Sequence, residues 1–279
     1  MRIALHLAVM ALLIGLAELC VFYPLLPGQY DGLAMAVSMM AQTAGALGCL
    51  LAPLGIVWIA YERLSSRKRW RRGLGLLALL LLVLLASAVT LVAVMMSGAV
   101  LGMLTIVLLA GAGLSGFRWR RGKDGGPAVA PYYLAAVAPG IVALQIPFMD
   151  EVTALGRRHA IEQSAELIEA IEKHHTDFGS YPPSMGGVWP DYKPGVVGIE
   201  RYRYARSGEA YNLFFELPTF LIGNFGTREI VVYNPRDEHV IPSHASWVLI
   251  WPFEKLKRHQ GWYAAHEGPA PHWKYFWFD

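Results

Sequence analysis

The chain has 279 residues, of which 55% are hydrophobic and only 16% charged, and its mean hydropathy is +0.37. Soluble domains carry about 25% charged residues, so an ordinary soluble protein is excluded, as are a disordered chain, a collagen and a disulfide framework. Split after Met149, the first half carries 11 basic and 4 acidic residues and the second 13 and 17, which is an apolar half of +7 followed by a polar half of −4.

A spanning helix needs about 20 apolar residues. Five segments qualify, at about 3–26, 33–60, 74–96, 99–117 and 128–149. The first four predict a transmembrane bundle over residues 1–126, and the fifth a further spanning helix at 127–149. Only Ser97-Gly98 separates segments three and four. A turn belongs there, because one helix of the combined length does not fit a hydrocarbon core about 30 Å thick. No small-x-small site follows the first segment, so it is expected to remain as an uncleaved helix.

Two linkers gather the positive charge. Arg63, Arg67, Lys68, Arg69, Arg71 and Arg72 lie in one, and Arg118, Arg120, Arg121 and Lys123 in the other. Five alternating spans bring both to one face, which the excess of Lys and Arg marks as cytoplasmic. The expected topology has the N-terminus inside and residues 150–279 outside, on the periplasmic side of a bacterial inner membrane. Beside spanning helices, such linkers signal topology and contact anionic lipid rather than nucleic acid.

Polar residues within the spans are the candidate functional positions. Glu18 lies deep in the first segment. Gln42 lies in the second among Ala41, Gly45, Gly48 and Ala52, a small-residue spacing that permits close helix packing. Hydrogen bonding between helices is the expected role, with an ion or proton path as the alternative. Pro139-Gly140 predicts a kink in the fifth segment, and so a candidate hinge.

Beyond Met149, Ile161, Ala165, Ile168, Ile171 and His175 recur at three- and four-residue steps, which predicts an amphipathic helix over about 151–175. It either continues the fifth span or follows a break near Gly156. Alternation at Arg201–Tyr204, a Ser207-Gly208 turn and Tyr211–Phe215 predict a hairpin. Arg228–Tyr233 predicts a third strand closed by Asn234-Pro235, and 247–251 and 274–278 are weaker strands. The expected class is an α-helical membrane bundle joined to a C-terminal α+β domain, a long helix on a small antiparallel sheet.

This part of the chain resembles type IV pilins and type II secretion pseudopilins. In those families a hydrophobic helix runs directly into an amphipathic one, followed by Gly-x-Tyr-Pro and a small antiparallel sheet. The matching residues here are the apolar segment 128–149, the stretch Glu166–Glu172, and Gly179-Ser180-Tyr181-Pro182, over about residues 128–233. The resemblance implies a pilin-like outer domain held at the membrane, with Gly179, Tyr181 and Pro182 as its signature. The helix-to-helix continuation and Gly179–Pro182 motivate the expectation of an envelope protein partner, in assembly or secretion.

Catalytic chemistry is not expected. His239, His244, His259, His266 and His272, with Glu238 and Glu267 nearby, lack the close ligand pairs of a zinc site. No nucleophile elbow, phosphate loop or dinucleotide fingerprint occurs. No metal and no cofactor is therefore expected. The aromatic C-terminal stretch offers Trp262, Trp273, Tyr275 and Trp277 as a candidate interaction surface, the alternatives being a domain core or rings at the headgroup layer. The expected function is a polytopic membrane protein, in contact with lipid, whose outer domain binds an envelope protein. The alternatives are a small transporter or lipid-handling protein, and an extracytoplasmic hydrolase using residues 236–272.

Overall fold

The computed structural model describes residues 2–53, 55–56, 58–59, 129–185, 192–207, 209–221, 227–243, 247–250, 253–258 and 263–278. Apolar sequence becomes helix: α1 (Arg2–Phe22), α2 (Ala34–Cys49) and α3 (Ala130–Gln163). Two stretches, Ile3–Leu25 and Ala130–Phe178, are long and apolar enough to cross a membrane. Only 11% of the apolar window of each is buried. Leu5, Leu12, Leu16 and Leu19 on α1 and Ile146 and Phe148 on α3 are exposed, a pattern opposite to that of a soluble core helix. The expected spans at 74–96 and 99–117, and both basic linkers, lie outside the described residues.

The chain divides into two compact units, one of Met1–Val21 with Ala36–Ile146, the other of Phe22–Met35 with Pro147–Asp279. In the first, small residues set the helix spacing. A Cβ built on Gly48 would come within 2.5 Å of the Ala138 side chain, and one on Gly55 within 2.7 Å of the Pro131 carbonyl. Bulk at either position would push the segment around 48–55 from α3.

The second unit is an α+β domain. Helix α3 runs unbroken through Gly156, so of the two alternatives the amphipathic stretch continues the fifth apolar segment rather than following a break there. Gly156 instead serves close approach, since a Cβ on it would lie 2.8 Å from the Leu25 carbonyl oxygen. The interruption comes at Ser164, whose hydroxyl donates to Ile161 O at 2.6 Å and competes with the helix backbone. Helix α4 (Ala165–Phe178) follows and buries Leu167 and Ile171 completely. Burial of each such side chain contributes about 1.5–3 kcal/mol. The helix ends three residues later than its periodicity suggested, on Gly179 at φ 71°, whose N–H donates to His175 O at 2.8 Å.

The expected hairpin is β1 (Arg203–Ser207) and β2 (Ala210–Leu217), and the third strand is β3 (Arg228–Tyr233). After β4 (Val240–Ser243), β5 (Trp247–Ile250), the short helix α5 (Phe253–Arg258) and β6 (Tyr263–Glu267), the chain returns as β7 (Trp273–Phe278). The sheet order is β1-β2-β3-β7-β6, antiparallel throughout, so β7 enters between β3 and β6. Strands β4 and β5 form a separate hairpin.

Alternation divides the sheet into two buried faces. Tyr211, Leu213, Phe215, Val231 and Tyr275 look toward the helices. Val232, Phe276 and Phe278 are buried on the reverse, where the His239 ring packs 5.9 Å from Phe276.

The same unit takes in the turn between α1 and α2. Gly28 N donates to Gly195 O (2.8 Å), Asp31 N to Val197 O (2.9 Å), Val197 N to Leu26 O (3.0 Å) and Gly198 N to Pro24 O (2.7 Å). Pro27 and Val196 form an antiparallel bridge, and the rings of Phe22 and Phe220 meet edge to face at 5.7 Å. The sequence offered residues 24–33 only as a connection. Its backbone hydrogen bonds are in fact made by residues about 170 positions away.

Candidate functional site

In the first unit a polar ladder joins three helices. The Ser38 hydroxyl donates to Val21 O (2.6 Å), Gln42 Nε2 donates to Ser38 Oγ (2.9 Å), and Gln145 Nε2 donates to Gln42 Oε1 (3.2 Å). All three side chains are buried. This is the interhelical role expected of Gln42, with Ser38 and Gln145 as partners that the sequence reading passed over. A lone Gln among the apolar residues 141–149 was the available signal for Gln145.

Glu18 lies at the same depth. Helices α1 and α3 are in register at His6, whose Nδ1 is 3.1 Å from the Tyr133 hydroxyl, and at Ile14, which Gly140 meets. Four residues on from Ile14 is Glu18, and five on from Gly140 is Gln145. At ~1.5 Å per residue the two lie about one step apart along the bundle. Glu18 is also one helical turn from Val21 and on its face. Both Glu18 carboxyl oxygens and Gln145 Oε1 are shut off from solvent, and none of the three has a hydrogen-bond partner.

Pro139 and Gly140, the candidate hinge, sit within the continuous α3. A Cβ on Gly140 would lie 2.6 Å from Ile14 Cδ1, so this glycine has a packing role.

In the second unit Gly179 caps α4, and Tyr181 folds back onto that helix. Its ring stacks on His175 at 4.2 Å, and its hydroxyl donates to Glu172 Oε2 at 3.3 Å. The Tyr211 hydroxyl donates to Glu172 Oε1 at 3.0 Å. Burial first, and then the Glu172 charge, raise both phenols above the ordinary tyrosine range. They act as neutral donors that fasten α4 to the sheet. Pro182 is buried, and its carbonyl accepts from the Tyr204 hydroxyl at 2.8 Å. The signature residues therefore fix the exit from the helix. Phe178, one position before the cap, is 71% exposed.

Trp273, Tyr275 and Trp277 of β7 share the sheet face turned toward α3. Trp273 is 3% exposed and belongs to the core, while Tyr275 lies beneath the Arg157 guanidinium at 3.9 Å, so neither offers an open binding face. Trp277 is half-buried, opposite Glu229 in the register. Trp262 lies outside the described residues. Arg157 also donates through Nε to Glu229 Oε1 at 2.7 Å, with Nη2 at 2.6 Å from the same oxygen. Burial raises the Glu229 carboxyl above its usual range, and Arg157 opposes that rise.

The histidines disperse. His239 is fully buried, and burial lowers it to about 4. His266 is exposed and stacks on Tyr275 at 4.8 Å, and His272 pairs with Asp237 at 3.2 Å. His244 and His259 lie outside the described residues. Among the described residues no group of three or more His, Cys, Asp or Glu could hold a metal ion. Compared with models of protein families, with curated proteins and with solved structures, the chain matches none.

Proposed function

We propose that the chain is a five-span membrane protein of the bacterial inner membrane that presents a pilin-like α+β domain outside to bind another envelope protein. The observation that carries this reading is the lacing of Pro24–Asp31 onto Gly195–Gly198. It supports reading the turn after α1 and the domain after α3 as lying on one side of the membrane. Between them the chain must cross an even number of times. In this reading the apolar segment 33–60, of which α2 is the first part, and α3 make two crossings, and the apolar segments 74–96 and 99–117 make two more while bringing both basic linkers inside.

The packing of α1 supports an integral helix rather than a removable leader, since Ile14 meets Gly140 and Val21 accepts from Ser38. The pilin-like reading is supported by the unbroken passage of apolar α3 into the domain, the capped end at Gly179 and the antiparallel sheet laid against both helices. A partner surface is supported by exposed Phe178 on the domain, with Tyr30 and Leu33 exposed on the laced turn.

A photo-crosslinking residue in place of Phe178, Tyr30 or Leu33 tests the reading in intact cells. One discrete envelope protein should be captured, and not from Glu254, which is also exposed. Absence of any protein adduct at all three positions would overturn the partner-binding function.

A further inference from the structure

We propose that the polar layer of the first unit is a proton-binding site, in which Glu18 carries a proton and donates it in a hydrogen bond to Gln145 Oε1. The proposal is independent of what the outer domain binds.

Glu18 Oε1, Glu18 Oε2 and Gln145 Oε1 are three enclosed acceptors at one depth, each without a donor. In the ladder the Ser38 hydroxyl is given to Val21 O, and one N–H of each amide is engaged, Gln145 Nε2 with Gln42 Oε1 and Gln42 Nε2 with Ser38 Oγ; no hydrogen bond reaches the three enclosed acceptors. Enclosed polar atoms are almost always paired, so this layer lacks a positive ligand or a donor. An anion is excluded.

One proton meets the deficit. It converts a Glu18 oxygen into an O–H donor, satisfies Gln145 Oε1, and removes a charge that has no hydrogen-bonded counter-ion among the described residues. Residues 34–53 and 130–149 contain no Lys, Arg, Asp or Glu. Within residues 3–22, 34–53 and 130–149 the remaining titratable groups are Cys20, Cys49, Tyr132, and His6 with Tyr133, the last pair about 18 Å away along α1 at 1.5 Å per residue. An alkali cation fits less well. It needs several free oxygens, and Ser38 Oγ, Gln42 Oε1 and Val21 O already accept hydrogen bonds. A carboxyl group within spanning helices that is paired with a neutral amide is a group that loads and unloads protons rather than a salt-bridge member.

The test is modification of the full chain in its membrane by dicyclohexylcarbodiimide, which adds to protonated carboxyl groups in apolar surroundings. The Glu18 peptide is quantified by mass spectrometry across a pH series. We expect an adduct at Glu18 at neutral pH that falls to background as the pH rises, and none in Glu18→Gln. In Gln145→Met, which removes the acceptor but keeps the side-chain length, half-labelling should move to lower pH. Sodium at fixed pH should not protect. No adduct at any pH, protection by sodium, or a Gln145→Met profile that superimposes on the parent would each overturn the proposal.

Discussion

Replacing Arg157 by Ala should cost the outer domain about 3–5 kcal/mol, the range for removing one member of a buried ion pair. The size follows from the site. Glu229 is 2% exposed and Arg157 12%, so neither charge is screened by water, and the single Glu229 oxygen that Arg157 contacts has no substitute cation nearby. A further ~1 kcal/mol is the lost cation–π contact with Tyr275. The loss should depend on pH. Without Arg157 the Glu229 carboxyl rises further above its unfolded value, and a group raised on folding stabilises most below its unfolded pKa and loses that contribution as pH rises. The deficit of the variant should therefore be largest near pH 8 and smaller near pH 5. The double variant Arg157→Met/Glu229→Met should lose much less than Arg157→Ala, because it leaves no unpaired charge. Hydrogen exchange of the β3 and β7 amides in the full chain reads the free energies. A cost below about 1 kcal/mol for Arg157→Ala, or a double variant as unstable as the single, would refute the reasoning.

His239 is lowered on folding, so its contribution is complete above about pH 6.5 and is lost as pH falls toward 4; linkage makes the loss about 2 kcal/mol at pH 5, and His239→Gln should flatten that part of the pH–stability curve. Gly198→Ala puts a Cβ within 2.6 Å of Pro218 Cγ and 2.7 Å of Pro24 O. Such overpacking costs about 1–3 kcal/mol, so exchange at the Gly28 and Asp31 amides should quicken about tenfold or more. At Gly179 a Cβ would meet nothing, but φ is 71°, so Gly179→Ala should lower domain stability by about 1–2 kcal/mol through backbone strain alone, seen as faster exchange over the last turn of α4.

Local pattern made much of this fold legible. Hydropathy marked α1, α2 and α3, and period-two alternation with a Ser207-Gly208 turn marked the β1–β2 hairpin, with strand ends off by up to three residues, since Ser207 pairs with Ala210 inside the ladder. What escaped was non-local or chemically quiet. Strand β6, Tyr263-Ala264-Ala265-His266-Glu267, has little β-branched character and owes its form to pairing with β7. Strand β4 contains Pro242, which argues against a strand unless it sits at an edge. Gly156 left a break or a continuous helix open and is a close-approach position, whereas the interruption is at Ser164, whose hydroxyl competes for the backbone. The laced turn could not be seen from residues 24–33 alone, since its partners lie near residue 196. At the candidate site Glu18 and Gln42 were legible as polar residues within apolar runs. Their convergence with Gln145 required the helix registers.

The central claim is that the turn after α1 and the domain after α3 share one side of the membrane, with both basic linkers on the other. Single cysteines at Tyr30, Phe178, Ser66 and Gly122, in a chain whose Cys20 and Cys49 are changed to Ser, test it with a membrane-impermeant maleimide in cells whose inner membrane is intact. The account predicts labelling of Tyr30→Cys and Phe178→Cys from outside, and of Ser66→Cys and Gly122→Cys only after the membrane is opened. Labelling of Tyr30→Cys and Phe178→Cys from opposite sides, or of either linker position in intact cells, would contradict it.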